Sequence, residues 1–375
     1  MSKKTPEIVL TGGPCAGKTT GLNYISEKLR DRGFRVFLVP EAATMIINPG
    51  VPDISDIAKN HPEKYFKVEE SMLLLQRALR AEFNRLAGIF ESEKRVIIFD
   101  RAEMDVKAYM PDFLFEAMLR DLKLDLYDVR DSYDGVIHLV TAANGAEKFY
   151  TLGNNKARRE TLEEAGAADE RTKNVWIGHS HLKIINNSAA GFEAKMKRAL
   201  QSASRILGIP VPIEIERKFL LGILPDFNIL ELQNVQKICI EQMYLISSSN
   251  EQIRIRKRSQ GDSATYYKTV KSKISPAVRY ETEETISAKE YIKLRELMIP
   301  GSKIIRKYRY CFVYKDQYFE MDASIEPVRQ IPLYLLEIEL TEENDKLEIP
   351  PFLDVKKEVT ADERYSNYAL ALGQI

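Results

Sequence analysis

In the second half of the chain, run after run reads as a strand with full charges on one side and apolar side chains on the other. Successive side chains of a strand point to opposite faces. In "PIEIERKFLL", Pro212 to Leu221, Glu214, Glu216 and Lys218 therefore share one face. Ile213, Ile215 and Phe219 share the other, with Arg217 as the exception. The pattern returns. Arg254 and Arg256 oppose Ile253 and Ile255, and Lys268 alternates with Tyr267 and Thr269. Arg279, Glu281 and Glu283 form a row, as do Lys307 and Arg309. Glu320 and Asp322 oppose Phe319 and Met321, and Glu337 and Glu339 alternate with Leu336, Ile338 and Leu340. An antiparallel sheet commonly wets one face, but such a face mixes Thr, Ser and Gln with its lysines. This one is almost wholly acids and Arg or Lys. So many strands can close a barrel, and closing it with the charged face inward makes a polar tunnel. Enclosed charges must pair with one another or meet a ligand. Basic rows suit a polyanion, since guanidinium forks match phosphate oxygens. Acidic rows suit Mg²⁺ or Mn²⁺, which bridge carboxylate to phosphate. The expected occupant is a metal-complexed polyphosphate.

The first half alternates differently. "EIVLT", "FRVFLV", "RVIIFD", "GVIHLV" and "LKIINN" are short apolar runs of the buried-strand kind. Helical patterns fall between them, over Lys18–Arg30 and Glu63–Phe90, and a closing helix reads in "GFEAKMKRALQSASRILG". That order predicts an α/β domain with a mostly parallel sheet. The charged stretch "AEKFYTLGNNKARRETLEEAGAADERTKN" reads as a mobile lid. Pro210 and Pro212 stop the closing helix, placing the domain boundary near Pro210: a P-loop domain over 1–209 and an α+β antiparallel tunnel domain over 210–375. At 375 residues the chain has room for two cores.

"TGGPCAGKTT" fits G-x-x-x-x-G-K-[ST] between a predicted strand and a predicted helix. Gly12, Gly13, Pro14, Cys15, Ala16, Gly17, Lys18, Thr19 and Thr20 make the expected nucleotide loop, whose helix N-terminus attracts anions. Lys18 is expected on the β/γ-phosphates and Thr19 on magnesium. Asp100, ending "RVIIFD", is the expected second metal-ordering carboxylate, against the plainer reading of a turn or cap. Glu41 is a candidate general base, or a solvated turn residue. Arg158 and Arg159 could close over a transferring phosphate or face solvent. His179 and His181 lack partnering ligand spacing and read as a structural pair.

Equal numbers of basic and acidic residues, 55 each, argue against a DNA-binding role. Cys15, Cys239 and Cys311 are far apart, which favours neither disulfides nor zinc and fits a cytoplasmic location. The N-terminus lacks a signal-peptide pattern, and no segment reads as transmembrane.

Several of these motifs carry resemblances. "TGGPCAGKTT", "VPEAA", "IIFDR" and "NNKARRE…AGAADE…WIGH" resemble the NadR-type group of P-loop kinases and AAA-like ATPases over most of residues 7–208. This implies binding of ATP or GTP. The guanine-reading N-K-x-D pattern is not met, because Arg158 stands where Asp is needed, so the base stays open. "EIERK" with "IEQMYL", "RIRKR", "YYKTVK", "RYETEETI", "KYRY", "EMDAS", "LLEIEL" and "KEVTADERYSNYALA" is similar to the CYTH, or triphosphate tunnel metalloenzyme, family from Ile213 to Ile375. That resemblance implies an eight-stranded tunnel. It also implies hydrolysis of inorganic tripolyphosphate or an organic triphosphate, RNA capping, or ATP cyclisation. By it, Glu214, Glu216, Asp322, Glu337 and Glu339 are metal-side carboxylates. Lys218, Arg254, Arg256, Lys268, Lys307 and Arg309, with Arg279 of a neighbouring row, hold phosphates. The catalytic set expected across both domains is Lys18, Glu41, Glu214, Glu216 and Lys218. The two-domain order resembles the TRPL translocation-defect protein family, associated with GTP and acidic-phospholipid binding. The leading expectation is an enzyme, a Mg²⁺-dependent phosphotransferase or NTPase joined to a triphosphatase. Its alternative is a non-catalytic nucleotide switch that binds an acidic phospholipid headgroup or a partner protein.

Overall fold

The computed structural model describes residues 4–147, 161–187, 191–209, 215–227, 232, 234–247, 251–275, 278–340 and 345–374. The chain divides into two compact units, Met1–Leu207 and Gly208–Ile375.

The first unit runs β1 (Glu7–Thr11), α1 (Lys18–Asp31), β2 (Arg35–Val39), α2 (Ala42–Gly50), α3 (Ile54–Asn60), α4 (Pro62–Gly88) and β3 (Arg95–Asp100). A 3₁₀ turn at Glu103–Tyr109 leads to α5 (Asp112–Asp121), α6 (Leu126–Asp131), β4 (Gly135–Leu139), α7 (Leu162–Asn174), β5 (Leu182–Ile185) and α8 (Gly191–Ile206). The sheet order is β2-β3-β1-β4-β5 with every pair parallel. Parallel strands covered on both faces read as near-continuous apolar runs, and β1 and β4 are buried throughout.

The stretch read as a lid divides. Residues 148–160, with Arg158 and Arg159, lie outside the described residues. Leu162–Asn174, however, is a core helix and not a lid: Thr161 caps it in a reciprocal box with Glu164, and Ala165, Ala168, Asp169, Thr172 and Lys173 are buried. Small residues at three- and four-residue spacing make a packing stripe that the surrounding charges disguise.

The second unit runs β6 (Ile215–Leu221), β7 (Gln236–Leu245), β8 (Glu251–Gln260), β9 (Ser263–Ser275), β10 (Val278–Ile286), α9 (Ala288–Leu294), β11 (Ile305–Tyr314), β12 (Gln317–Glu326), β13 (Tyr334–Leu340), β14 (Val355–Glu358) and α10 (Asn367–Ala371). They form one antiparallel sheet in the order β10-β9-β8-β7-β11-β12-β13-β6-β14. The short β14 adds a ninth strand to the eight expected, pairing along β6. The sheet curls. Glu216 of β6 feels the charge of Lys271 of β9, although their strands lie toward opposite ends of the strand order.

Apolar side chains cover the outside of this curl. Phe219, Leu221, Phe312, Phe319, Met321, Leu336 and Ile338 pack as one cluster. A second, with Met243, Leu245, Ile255 and Ile286, takes in Tyr291 of α9. A third lies at one end of the charged face, where Leu370 and Ala371 of α10 pack with Tyr244, Ile305 and Leu335.

Candidate functional sites

Each unit brings one set of candidate residues together among the described residues. In the first, the loop from β1 to α1 needs its glycines at specific points. Gly12 has φ 144°, and a Cβ there would sit 2.2 Å from Leu139 O. Gly17 caps α1 at φ 88°, in the left-handed region that glycine adopts without strain. Thr19 and Thr20 are exposed in the first turn of α1. Lys18 folds back so that Nζ donates to Gly12 O (2.9 Å) and Gly13 O (3.0 Å). Burial, followed by the neighbouring Arg101, pulls its ammonium down to about 8.

Asp100 ends β3 beside this lysine. Burial, then Glu41, pushes its carboxyl up to about 6, and its Oδ1 has no hydrogen-bond partner among the described residues. An orphaned buried carboxylate oxygen next to a phosphate loop fits a hard divalent cation. Glu41 is half-buried and ion-paired, with Arg101 Nε at 2.8 Å, and it accepts from Thr44 Oγ1 at 2.6 Å. Burial raises its carboxyl, but Arg101 and Lys18 outweigh this and hold it below the usual range. Arg101, at φ 64°, reaches both Glu41 and Asp105, and Asp105 in turn accepts from Thr11 Oγ1. Neither Arg101 nor Asp105 was visible as a site residue in sequence, because the 3₁₀ turn that returns Asp105 to β1 has no motif.

Asp169 was also missed. Its Oδ1 accepts the Gly13 N–H at 2.6 Å and lies 3.2 Å from His138 Nε2, all buried. A Cβ on Gly13 would collide with Asp169 at 2.7 Å.

His179 has both ring nitrogens engaged. Nε2 lies 3.0 Å from Tyr133 O, which can only accept, so Nε2 carries the proton; Nδ1 accepts from His181 N at 3.1 Å. Burial pulls its pKa down to about 3. Between there and the ordinary 6.5 only the unfolded chain takes up this proton, so stability rises with pH across that window, by at most about 1.4 kcal/mol per pH unit. The single tryptophan, Trp176, lies edge-on to His179 and reports the unfolding of this unit. Urea midpoints read from its fluorescence should fall as pH drops from 6.5 to 4.5. A His179→Gln chain should show a flatter dependence, and an equally steep one contradicts the assignment.

In the second unit, strand register decides which charges meet. Arg254, Arg256 and Arg258 lie opposite Tyr244, Gln242 and Ile240 on β7, which continue opposite Ile305 and Lys307 toward Arg309. Arg309 pairs with Asp322 on β12, Glu320 with Glu337 on β13, and Glu337 with Lys218 on β6. All of these share the inner face.

The contacts form two groups. In the first, Arg309 binds Asp322 through Nε and Nη2, both at 2.7 Å, Glu337 at 2.7 Å, and Glu320. Lys307 reaches Asp322 and Asn367. Lys218 lies 2.9 Å from Glu337 and 3.3 Å from Glu216. Burial pushes Glu337 up, but Lys218 and Arg309 hold it well below the usual carboxylate range. Glu216 is raised, by Glu337 first and burial second. In the second group, Arg254 reaches Glu283 at 3.3 Å and Thr269 Oγ1 at 3.1 Å, and Lys271 reaches Glu281 at 2.7 Å.

Arg256 differs from its neighbours. It donates to Gln242 Oε1 at 3.4 Å and pairs with no carboxylate among the described residues. Burial, then Arg254, pulls it down to about 10. A half-buried guanidinium without a bonded acid is set up to receive an anion.

One expected phosphate-binding residue stands apart. Lys268 pairs in register with Ile255, on the face opposite Arg254 and Arg256, and lies 3.2 Å from exposed Glu284. Thr269, Tyr267 and Lys271 occupy the inner face of β9 instead. Arg279 lies opposite Lys273 in β10, and only its backbone is described. Glu214 is outside the described residues. Glu339 is exposed on β13, opposite Glu216. No ready cage of three or more His, Cys, Asp or Glu exists among the described residues. Still, Glu216 and Glu337 repel each other across the tunnel wall, and such a pair fits a divalent cation.

The chain belongs to the AAA-domain and CYTH-domain families: an AAA domain model matches residues 7–195 and a CYTH domain model residues 212–350. An inorganic triphosphatase of Nitrosomonas europaea is 34% identical over 163 residues, 42% of this chain and 97% of that protein. Among solved structures, an inorganic triphosphatase matches at 30% identity over 43% of this chain and 96% of its own, with a TM-score of 0.32. A Pyrococcus horikoshii protein matches at 20% identity over 36% and 81%, with a TM-score of 0.26. No helix among the described residues is long and apolar enough to cross a membrane.

Proposed function

We propose that the C-terminal unit hydrolyses a linear triphosphate, inorganic or organic, and that the N-terminal unit binds Mg-ATP or Mg-GTP and transfers or hydrolyses its γ-phosphate. The observation that carries the first part is the row Arg254–Arg256–Arg258, half-buried at its first two members and buried at the third, sharing the inner face with the Glu216–Glu337 acid pair. The row is fit to hold phosphate oxygens. Glu216, Glu337 and Glu339, with Glu214 from the same strand pattern, would hold a divalent cation. Bound Mg²⁺ or Mn²⁺ supplies charge neutralisation at the phosphates and a more acidic water. Lys218 and Arg309 then face the charge that develops on the leaving phosphate. Asp322 accepts from Arg309 and Lys307, and in this reading it orients them toward the phosphates. The similarity to the inorganic triphosphatase of Nitrosomonas europaea supports this reading.

In the N-terminal unit, Lys18, now on the Gly12 and Gly13 carbonyls, would meet the phosphates, and Asp100 and Thr19 would hold the cation. Lys18→Ala should weaken Mg-nucleotide binding at least about 10-fold without unfolding the chain. Calorimetric titration checks this, and wild-type affinity in the variant removes Lys18 from the site. Glu41 serves as base only if an acceptor displaces Arg101 from it. Its ion pair favours the second reading, a nucleotide switch that does not transfer phosphate. Glu41→Gln separates the two: transfer falls about 10²-fold if Glu41 is the base, and an unchanged rate of γ-phosphate loss supports the switch.

A further inference from the structure

Every carbonyl of the phosphate loop from Gly12 to Gly17 has a partner. Lys18 takes the first two. The others are gripped from behind: Pro14 O accepts from Thr141 Oγ1, Cys15 O from Ala142 N at 3.3 Å, Ala16 O from Lys195 Nζ at 3.1 Å, and Gly17 O from Gly21 N at 2.8 Å. In a planar trans peptide the C=O of one residue and the N–H of the next point in opposite directions. Pulling these carbonyls back therefore turns the N–H groups of Cys15, Ala16, Gly17 and Lys18 forward. Successive forward-facing amides make an anion-binding concavity.

Two of those grips are side chains that the loop motif does not contain. Lys195, on α8, is 2% exposed. Its ammonium also donates to Val140 O at 2.5 Å and Asn187 Oδ1 at 2.8 Å. Asn187 Nδ2 in turn donates to Thr141 O and Asn144 O, both at 2.7 Å. Lys195 thus ties the back of the loop to the ends of β4 and β5. The Lys195 ammonium donates to these oxygens from a buried position. It sits behind the peptide whose N–H must face a polyanion.

We propose that Lys195 is a positioning residue of the nucleotide site, orienting the Ala16–Gly17 peptide toward the phosphates, with Thr141 doing the same for Pro14–Cys15. This rests on the nucleotide reading above. The test titrates Mg-ATP, Mg-GTP, AMP and GMP into full-length wild type, Lys195→Met and Thr141→Val. Both variants should bind the triphosphates at least about 10-fold more weakly and the monophosphates within about twofold of wild type. Damage to the fold alone lowers the fraction of competent sites and leaves the affinity of the rest unchanged. Should Lys195→Met not fold, Thr141→Val, which deletes one hydroxyl, decides. Wild-type triphosphate affinity in the folded variants, or an equal loss for mono- and triphosphates, overturns the proposal. If wild type binds neither Mg-ATP nor Mg-GTP, the nucleotide reading falls and takes this inference with it.

Discussion

A chain carrying Glu337→Gln should lose about 10³-fold of its metal-dependent triphosphatase activity and still fold. Glu337 receives both Lys218 and Arg309, and it is the acid that raises its neighbour Glu216. The amide keeps the size and one acceptor oxygen but not the charge a cation requires. Lys218 keeps Glu216, and Arg309 keeps Asp322, so neither cation is stranded. Phosphate release from tripolyphosphate with Mn²⁺, beside a circular dichroism melt, checks both halves. Undiminished turnover means that Glu337 only neutralises its basic neighbours.

Two arginines of the same tunnel should behave oppositely. Arg309→Met removes the shared partner of Asp322, Glu320 and Glu337 and leaves buried acids short of counter-charge, at a cost of about 3–5 kcal/mol. Arg256→Met removes a half-buried cation that has no described carboxylate partner and is repelled by Arg254. Stability should hold or rise, and tripolyphosphate affinity should fall about 10²-fold, the equivalent of losing charge-assisted hydrogen bonds. Urea midpoints and calorimetry on both variants settle it. A destabilised Arg256→Met with full affinity would reverse their assigned roles.

The sequence made much of this legible because two signals are local. Alternation of charge with Ile, Leu and Phe marked β6, β8, β12 and β13 and the inner face of each. The glycine spacing between an apolar run and a helix marked the phosphate loop. What it hid depends on register or distance. Lys268 looked like part of a charged row, but one residue of register places Thr269 and Tyr267 inside and Lys268 out. Asp169 and Lys195 act on Gly13 and Ala16 from far along the chain, and no local pattern joins them. The charges of "EEAGAADERTK" masked the small buried stripe of α7. Asp322 has the parity of a metal ligand, and its bonds to Arg309 and Lys307 come from register across strands, which no local pattern shows.

On the function proposed above, the charged tunnel is itself a metal-dependent triphosphate site, independent of the phosphate loop. The most direct test is phosphate release from tripolyphosphate by the Lys18→Ala chain, with Mg²⁺, with Mn²⁺ and with EDTA. The prediction is turnover equal to wild type with a divalent metal and none with EDTA. Binding of tripolyphosphate without release under any metal, or release that disappears with Lys18, would contradict it.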